Sequence, residues 1–342
     1  MKFKLAIVVL TWKDWKSTIT CLESIYQQKF KNYNVFIVDN NSQDNTFEKI
    51  KLWSKNKIKI KEKLIKHKNK KINLLDLRKN KKPNKNNLAK HKFIFLENKK
   101  NLGCGLGHNI GYKIASKFNF KYVARIDNDM IMPNNFFLNL IPKMDNKKII
   151  QAISPKILYK FQKNKIWWRG TTIGNNLKIQ KHLRNYPYGE RDNKKLRGLI
   201  KTDAIAGCAS IMRVDRLKKI GLSDPDFFYG PEDIEFSRRI FDKEGSLVVD
   251  LDTKIFHAIT QSFKNLSTRR MYFEYKYRLL LIRKIGTFFD KLFGYSISIV
   301  KWFIYLILFL HPRHRIKIIP VGKAIIDFFL NNLGEFDRQK LN

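Results

Sequence analysis

Apolar residues in the first third of the chain fall in short runs separated by amphipathic stretches. Runs of strand length stand at Leu5–Leu10, Val35–Val38, Phe93–Leu96 and Tyr122–Ile126. Between them, Thr18–Tyr26, Thr46–Trp53 and Gly107–Phe118 repeat apolar positions at helical spacing. Near-continuous apolar strands alternating with helices predict an α/β fold with a mainly parallel sheet covered on both faces. Such sheets bind ligands at the carboxyl ends of their strands, so the residues just after each run are the candidates for chemistry.

Those residues are polar. Thr11 follows the first run and Asp39-Asn40-Asn41-Ser42-Gln43-Asp44 the second. Glu97 and then Asn101-Leu102-Gly103-Cys104-Gly105-Leu106-Gly107-His108-Asn109 follow the third, and Asp127-Asn128-Asp129 the fourth. Each has an ordinary explanation. Asp39–Asp44 suits turn and N-cap chemistry, the glycine run lacks dinucleotide spacing, and Asp127 with Asp129 suits a cap on a helix near Asn134. Four such loops on one sheet edge point instead to a site.

After about Ile150 the rhythm changes. Trp167–Gly170 and Thr171–Ile179 read as short strands and turns, and Thr202–Met212 as one buried strand. Phe227–Phe236 is an aromatic loop entering a helix, with Pro231 suited to a first helical position. Val248–Asp250 is a further strand, closely followed by His257.

Composition adds a question of partners. With 342 residues, 44% of them hydrophobic, the chain can build a sizeable core, which excludes global disorder. Its 69 Lys and Arg against 29 Asp and Glu give a net charge of +40, which asks for a polyanionic neighbour, nucleic acid or an anionic membrane surface. The charge is uneven. Lys49–Lys100 holds twenty basic and three acidic residues, and Ser262 to the end holds fifteen and five. Abundant Lys and Asn are also what an AT-rich genome writes, so a solvated basic surface is the plain alternative. Residues 55–92 read as a basic insertion with at most a short strand or helix at Ile72–Leu77. Three distant cysteines offer neither a disulfide framework nor metal spacing, which points to a reducing compartment. The first apolar run is six residues long and is followed by Thr11-Trp12-Lys13-Asp14. It reads as a buried strand rather than a signal peptide, and the expectation is a cytoplasmic chain.

Two carboxylates one residue apart on a turn, as in Asp127-Asn128-Asp129, can face one hard cation, Mg2+ or Mn2+, that shares its sphere with a substrate phosphate. Alone this is equally a capping pair. The wider set of motifs resembles the family 2 glycosyltransferases. Val8-Val9-Leu10-Thr11-Trp12 through Cys21-Leu22-Glu23-Ser24 and Ile37-Val38-Asp39-Asn40-Asn41-Ser42-Gln43-Asp44 look like that family's opening. Asn98–Asn109, Asp127–Asp129, Gly207-Cys208-Ala209, Phe227–Arg238 and His257 follow in its order, so the resemblance covers about Leu5 to Leu281. It is nearest the bacterial rhamnosyltransferase-like branch that builds surface polysaccharides.

The resemblance implies a GT-A fold, a nucleotide-diphospho-sugar donor, a divalent metal (Mn2+ or Mg2+) and inversion at the anomeric carbon. Carried onto this chain, Thr11 lies at the edge of the nucleotide pocket and Asp39 bonds the base or ribose. Asn101 and Gly103 let the backbone approach the nucleotide. Asp127 and Asp129 are the paired carboxylates, Asp127 beside the donor and Asp129 in direct contact with metal, with His257 as a third ligand. Asp233 corresponds to the catalytic base. Independently of any family, inversion needs a group that takes the acceptor hydroxyl proton, and a carboxylate in reach suffices. Glu232 and Asp233 also occupy a helix's first turn, where acidic residues suit the macrodipole. The two can exchange roles, with Glu232 orienting the acceptor. Trp167, Trp168 and Tyr229 are candidates for stacking on sugar rings, or are simply core. Two departures are the insertion before Phe93, taken as outside the family core, and Gly230-Pro231 in place of an aromatic or polar pair, which bears on the acceptor.

Leu292–Leu310 spans nineteen residues with one charge, Lys301. As a helix it would reach about 28 Å, borderline for a bilayer core. Ser298, Lys301 and Tyr305 form one polar stripe, with Lys284 and Lys291 before it and Arg313, Arg315 and Lys317 after. Ile316–Leu333 is a second amphipathic stretch. A membrane-docking helical appendage lying in the interface accounts for stripe and flanks. A single span and a packed helical hairpin are the alternatives. The expected layout is a GT-A domain over 1–261 and this appendage over 262–342. The expected function is transfer of a sugar to a lipid-linked or oligosaccharide acceptor, by an enzyme peripheral to the inner face of the cell membrane. The rivals are a nucleic-acid-binding basic protein and a catalytically inactive scaffold of the same fold. Nucleic acid is disfavoured because no basic-aromatic recognition motif appears and the charge clusters lie outside the motif core.

Overall fold

The computed structural model describes residues 3–69, 71–78, 81–174, 179–181, 189–241, 246–258 and 268–333. The first part of the chain runs β1 (Leu5–Thr11), α1 (Trp15–Tyr26), β2 (Tyr33–Asp39), α2 (Thr46–Ser54), β3 (Leu74–Asp76), α3 (Lys85–Lys90), β4 (Phe93–Glu97), α4 (Gly103–Lys117) and β5 (Tyr122–Asp127). These strands are all parallel, in the order β3-β4-β2-β1-β5. They read as unbroken apolar runs because both faces are covered. Leu5, Ile7 and Val9 of β1 pack with Leu22, Ile25 and Trp53 from α1 and α2. Ala6 and Val8 pack on the other side with Tyr112 and Ala115 of α4.

The 55–92 segment holds more than expected. β3 adds an edge strand beside β4, and α3 carries a capping box in which Asn84 and Asn87 exchange side-chain-to-backbone bonds of 2.9 and 3.0 Å. An asparagine-rich run conceals that cap, because it looks like loop composition. The glycine run is likewise helix from Gly103 onward rather than loop. A Cβ added at Gly107 or Gly111 would come within 2.5 or 2.3 Å of the methyls of Leu10 or Val8, so the glycines let α4 lie directly on β1.

The chain continues through β6 (Met130–Ile131), α5 (Phe136–Asn146), β7 (Ile150–Tyr159), β8 (Lys165–Trp168), β9 (Thr171–Ile173), β10 (Ile179–Lys181), β11 (Glu190–Arg191), β12 (Leu199–Lys201), β13 (Ala209–Arg213), α6 (Val214–Ile220), α7 (Glu232–Phe241) and β14 (Ser246–His257). β13 enters between β5 and β7, antiparallel to both, so the sheet is mixed but mainly parallel around β1. β14 pairs parallel with β7 and antiparallel with β6 and β12. β9 and β10 form a separate small sheet. Thr202–Met212 is not one strand. The Thr202 hydroxyl accepts from Thr171 N–H at 2.9 Å and has the Ala204 carbonyl at 2.8 Å and the Thr171 carbonyl at 3.1 Å to donate to, and the chain is out of the ladder between β12 and β13. α5 starts at Phe136 with no side-chain cap, so neither Asp127 nor Asp129 caps it.

Three helices close the chain: α8 (Thr268–Ile285), α9 (Phe288–Ile307) and α10 (Pro312–Phe329). α8 packs on Phe227 and Ile234 beside α7, so this region continues the core. The expected boundary at residues 261 and 262 lies outside the described residues. No helix among the described residues is long and apolar enough to cross a membrane, which does not fit the single span at Leu292–Leu310. Ser298 and Tyr305 of the polar stripe of α9 point inward instead, while Lys301 is exposed. Ser298 is buried and the Tyr305 hydroxyl bonds that of Tyr275 on α8 at 2.9 Å. The opposite side is apolar and open, with Phe288 74% and Ile307 77% exposed.

Candidate active site

The parallel register sets the carboxyl ends of the strands level. Thr11 is opposite Asp39, Leu10 opposite Asp127, and Asp39 opposite Glu97. Asn40 ties the loops that follow. It donates to the Asn101 side chain at 2.8 Å and the Gly103 carbonyl at 3.0 Å, and its own oxygen accepts from Asn98 and from Leu102 N–H. Asp39 is buried and accepts from the hydroxyl and N–H of Ser42. Burial pushes its carboxyl up, and the Ser42 bonds partly offset this. Thr11 shares a 2.7 Å bond with Thr18, whose hydroxyl also accepts from Asn128 at 3.0 Å. Thr11, Asp39, Asn101 and Gly103 thus meet at one edge, but none lines either of the two cavities described below. Gly103 has a further reason to be glycine. Its φ is +79°, and a Cβ would fall 2.1 Å from the Phe228 carbonyl oxygen.

Asp127, Asp129, Asp233 and His257 surround a cavity of about 340 Å³ that is also walled by Trp167, Trp168 and Tyr229. β5 ends on Asp127, the turn that follows carries Asp129, and the last residue of β14 is His257. His257 Nε2 and Asp129 Oδ2 stand 3.1 Å apart, and the buried His257 Nδ1 has no hydrogen-bond partner. Two ligand atoms about 2.1–2.2 Å from one cation, at right angles, lie about 3 Å apart, so this pair fits a divalent ion. Burial, with Asp129 adding, raises the Asp127 carboxyl to about 7, while Arg125 pulls it down; a cation would also pull it down. Ligating atoms of Cys104, His108 and Asp127 also lie within 4.8 Å of one another. There, however, the Arg125 guanidinium already donates to Cys104 Sγ at 3.0 Å, and burial, then Arg125, keeps His108 neutral. That cluster does not suit a cation.

Glu232 and Asp233 open α7 and diverge in role. The buried Glu232 carboxylate accepts from Arg125 at 2.6 Å. Asp233 instead accepts from two backbone donors, Gly207 N–H at 3.1 Å and Ile234 N–H at 2.9 Å. Burial, followed by the neighbouring Glu232, raises the Asp233 carboxyl to about 6. Gly207 must be small, since a Cβ there would lie 2.7 Å from Asp233 Oδ2. A second cavity, of about 620 Å³, shares Asp127, Gly207, Tyr229 and Asp233 with the first and extends to α8 and α9. Asn40 and Gly207 stand in motifs that the sequence singled out, without a role of their own. Arg125 was missed, although it left a signal: a charged residue between Ala124 and Ile126 in a strand otherwise wholly apolar at its centre.

A mixed sheet with these loops on its carboxyl edge is the GT-A type of glycosyltransferase fold. The family model described as glycosyl transferase family 2 matches residues 6–81 and 76–221, and the chain belongs to that family. The two matched stretches meet within residues 55–92. Among solved structures, one similar chain is GalNAc-T7, determined with UDP, GalNAc and Mn2+, at TM-score 0.53 and 13% identity. The likeness covers 81% of this chain and 51% of that one, so the present chain spans about half the length of GalNAc-T7. Another is S. aureus TarS 1-349, at TM-score 0.50 and 14% identity, covering 96% of this chain and 82% of that one. No curated protein matches the chain.

Proposed function

We propose that the protein moves a sugar from a nucleotide-diphospho-sugar to a hydroxyl of a membrane-linked or surface-glycan acceptor, with inversion at the anomeric carbon. The observation that carries this reading is the position of Asp233 on the shared wall of two cavities, with Asp129 and His257 across the smaller one. The smaller cavity would take the donor sugar and diphosphate, and the larger the acceptor. GalNAc-T7, of similar fold, binds UDP, GalNAc and Mn2+, which supports a donor and a metal of the same kinds. Assignment to the rhamnosyltransferase-like branch rests on the sequence motifs.

In this reading Asp233 takes the acceptor proton as the oxygen bonds to the anomeric carbon from the side opposite the diphosphate. Its raised carboxyl, about 6, is ionised at neutral pH yet basic enough to accept that proton. Glu232 is committed to Arg125 and positions the turn. Asp129 and His257, with Asp127 beside them, would hold Mn2+ or Mg2+. When bound, that ion neutralises charge on the departing diphosphate. Trp167 stands edge-on to His257 at 4.7 Å and limits its rotation.

Nucleotide release from a panel of nucleotide sugars, with and without Mn2+, tests this. Asp129→Ala should collapse turnover, and Asp233→Asn should abolish transfer while calorimetric donor binding persists. Turnover indifferent to chelator and to Asp129→Ala would falsify the metal assignment. Loss of donor binding in Asp233→Asn would make that residue structural.

A further inference from the structure

The larger cavity changes character along its length. Near β5 and α7 it is lined by Asp127, Glu232 and Asp233. At the other end the lining comes from α8 and α9, including Arg270, Glu274, Arg278 and Lys301. Arg270 is paired with Glu274 at 2.6 Å, so the positive surplus at that end comes from Arg278 and Lys301, which are both exposed. Beyond them the wall becomes hydrocarbon. Ile297 lines the cavity and is also 45% exposed, as one member of the open apolar side of α9 that includes Phe293 and Val300. One cavity thus joins the carboxylates, with Arg125 neutralised on Glu232, two cations and, through Ile297, an exposed apolar helix face.

A free oligosaccharide would use only the first of these zones. An amphiphile with a glycan head, an anionic joint and a hydrocarbon chain would use all three. A phosphate ester is the joint that two adjacent cations recognise most strongly, by charge-assisted hydrogen bonds. A cavity of about 620 Å³ accommodates a sugar phosphate head and the start of a chain. We propose that this cavity is the acceptor subsite for a lipid-linked glycan, with its hydroxyl at Asp233, its phosphate on Arg278 and Lys301, and its hydrocarbon chain leaving along Ile297 and the apolar face of α9. This rests on the transferase reading above and specifies its acceptor class.

The test uses the full chain without donor, so that it stands apart from turnover. Calorimetric titration compares farnesyl phosphate below its micelle concentration with farnesol and with inorganic phosphate. The expected result is saturable binding of farnesyl phosphate at least tenfold tighter than either fragment. The paired change Arg278→Ala with Lys301→Ala should weaken it about tenfold or more, near what one lost charge-assisted contact is worth. Arg278→Lys with Lys301→Arg should retain binding, and removing two exposed charges elsewhere, by Lys194→Ala with Lys195→Ala, should leave it unchanged. Thermal melts check that each variant is folded. Equal affinity for farnesol, or indifference to the Arg278 and Lys301 changes, overturns the proposal. So does an equal loss of affinity for phosphatidylglycerol vesicles, which would make these cations a general headgroup contact. Absence of nucleotide release in the native chain, with farnesyl phosphate still bound, would instead sink the transferase reading alone.

Discussion

Asp233 and Glu232 are adjacent in sequence but differ in what holds them. Glu232 is neutralised by a buried guanidinium, whereas Asp233 has two N–H donors and no cation of its own. The consequence is a sign that can be measured. The Asp233 carboxyl is raised to about 6, chiefly by burial, and must be ionised to accept a proton. Transfer should therefore be level above pH 6 and fall about tenfold per pH unit below it. Asp233→Asn should lower the rate at pH 7 by about 10²–10⁴-fold, the usual worth of a general base. Stability should move the other way. A carboxyl raised on folding contributes stability at low pH that is lost as pH rises through its folded value. At pH 7.5 the ionised form costs stability, while Asp233→Asn would turn an amide donor toward Gly207 or Ile234 N–H. The readout is therefore the pH dependence: the melting temperature of the native chain relative to Asp233→Asn should fall as pH rises from about 4 through about 6, and no such fall would contradict the burial argument.

The start of α4 shows how an element serves the site. Gly103 lies against the Phe228 backbone, and Cys104 N–H donates to that same carbonyl at 3.0 Å. The contact fixes the aromatic loop that leads into α7. Gly103→Ala adds both a positive-φ strain and a clash with backbone, which cannot rotate away. It should cost about 2–4 kcal/mol in chemical denaturation and reduce transfer by loosening the 227–231 loop. The four parallel strands beside this helix were legible because their apolar runs have no alternation, and so were the polar residues that end them. The antiparallel entry of β13 was not legible. Its direction shows only in its pairing with β5 and β7, which lie far earlier in the sequence. The reason for the glycines of α4 was not legible, because nothing local reveals that Leu10 and Val8 sit under Gly107 and Gly111. Arg125 was hidden for a similar reason. Its partners, Cys104 and Glu232, arrive from two other elements.

At the scale of the whole molecule, the net charge of +40 and the inverted α9 belong together. A helix that turns Ser298 and Tyr305 inward and leaves Phe288, Leu292 and Phe303 open suits an interfacial surface, and the surrounding basic residues suit an anionic one. Flotation with phosphatidylglycerol vesicles should show binding at about 50 mM salt that weakens as salt rises and that Phe293→Asp reduces severalfold. Tight, salt-sensitive binding to duplex DNA without vesicle binding would favour the nucleic-acid alternative.

The Arg125–Glu232 pair has a consequence for how the molecule holds its shape between turnovers. A guanidinium in the centre of a sheet cannot be left bare. Breaking one side of a buried pair costs about 3–5 kcal/mol, a factor of hundreds to thousands in population. α7 therefore cannot peel away from β5 as a local fluctuation, and its aspartate is held at the cavity junction even with no substrate present. The same cost acts on descent. A chain that loses either residue alone keeps an orphaned charge in its core, so a single change at either position carries that cost and a joint change to apolar residues does not.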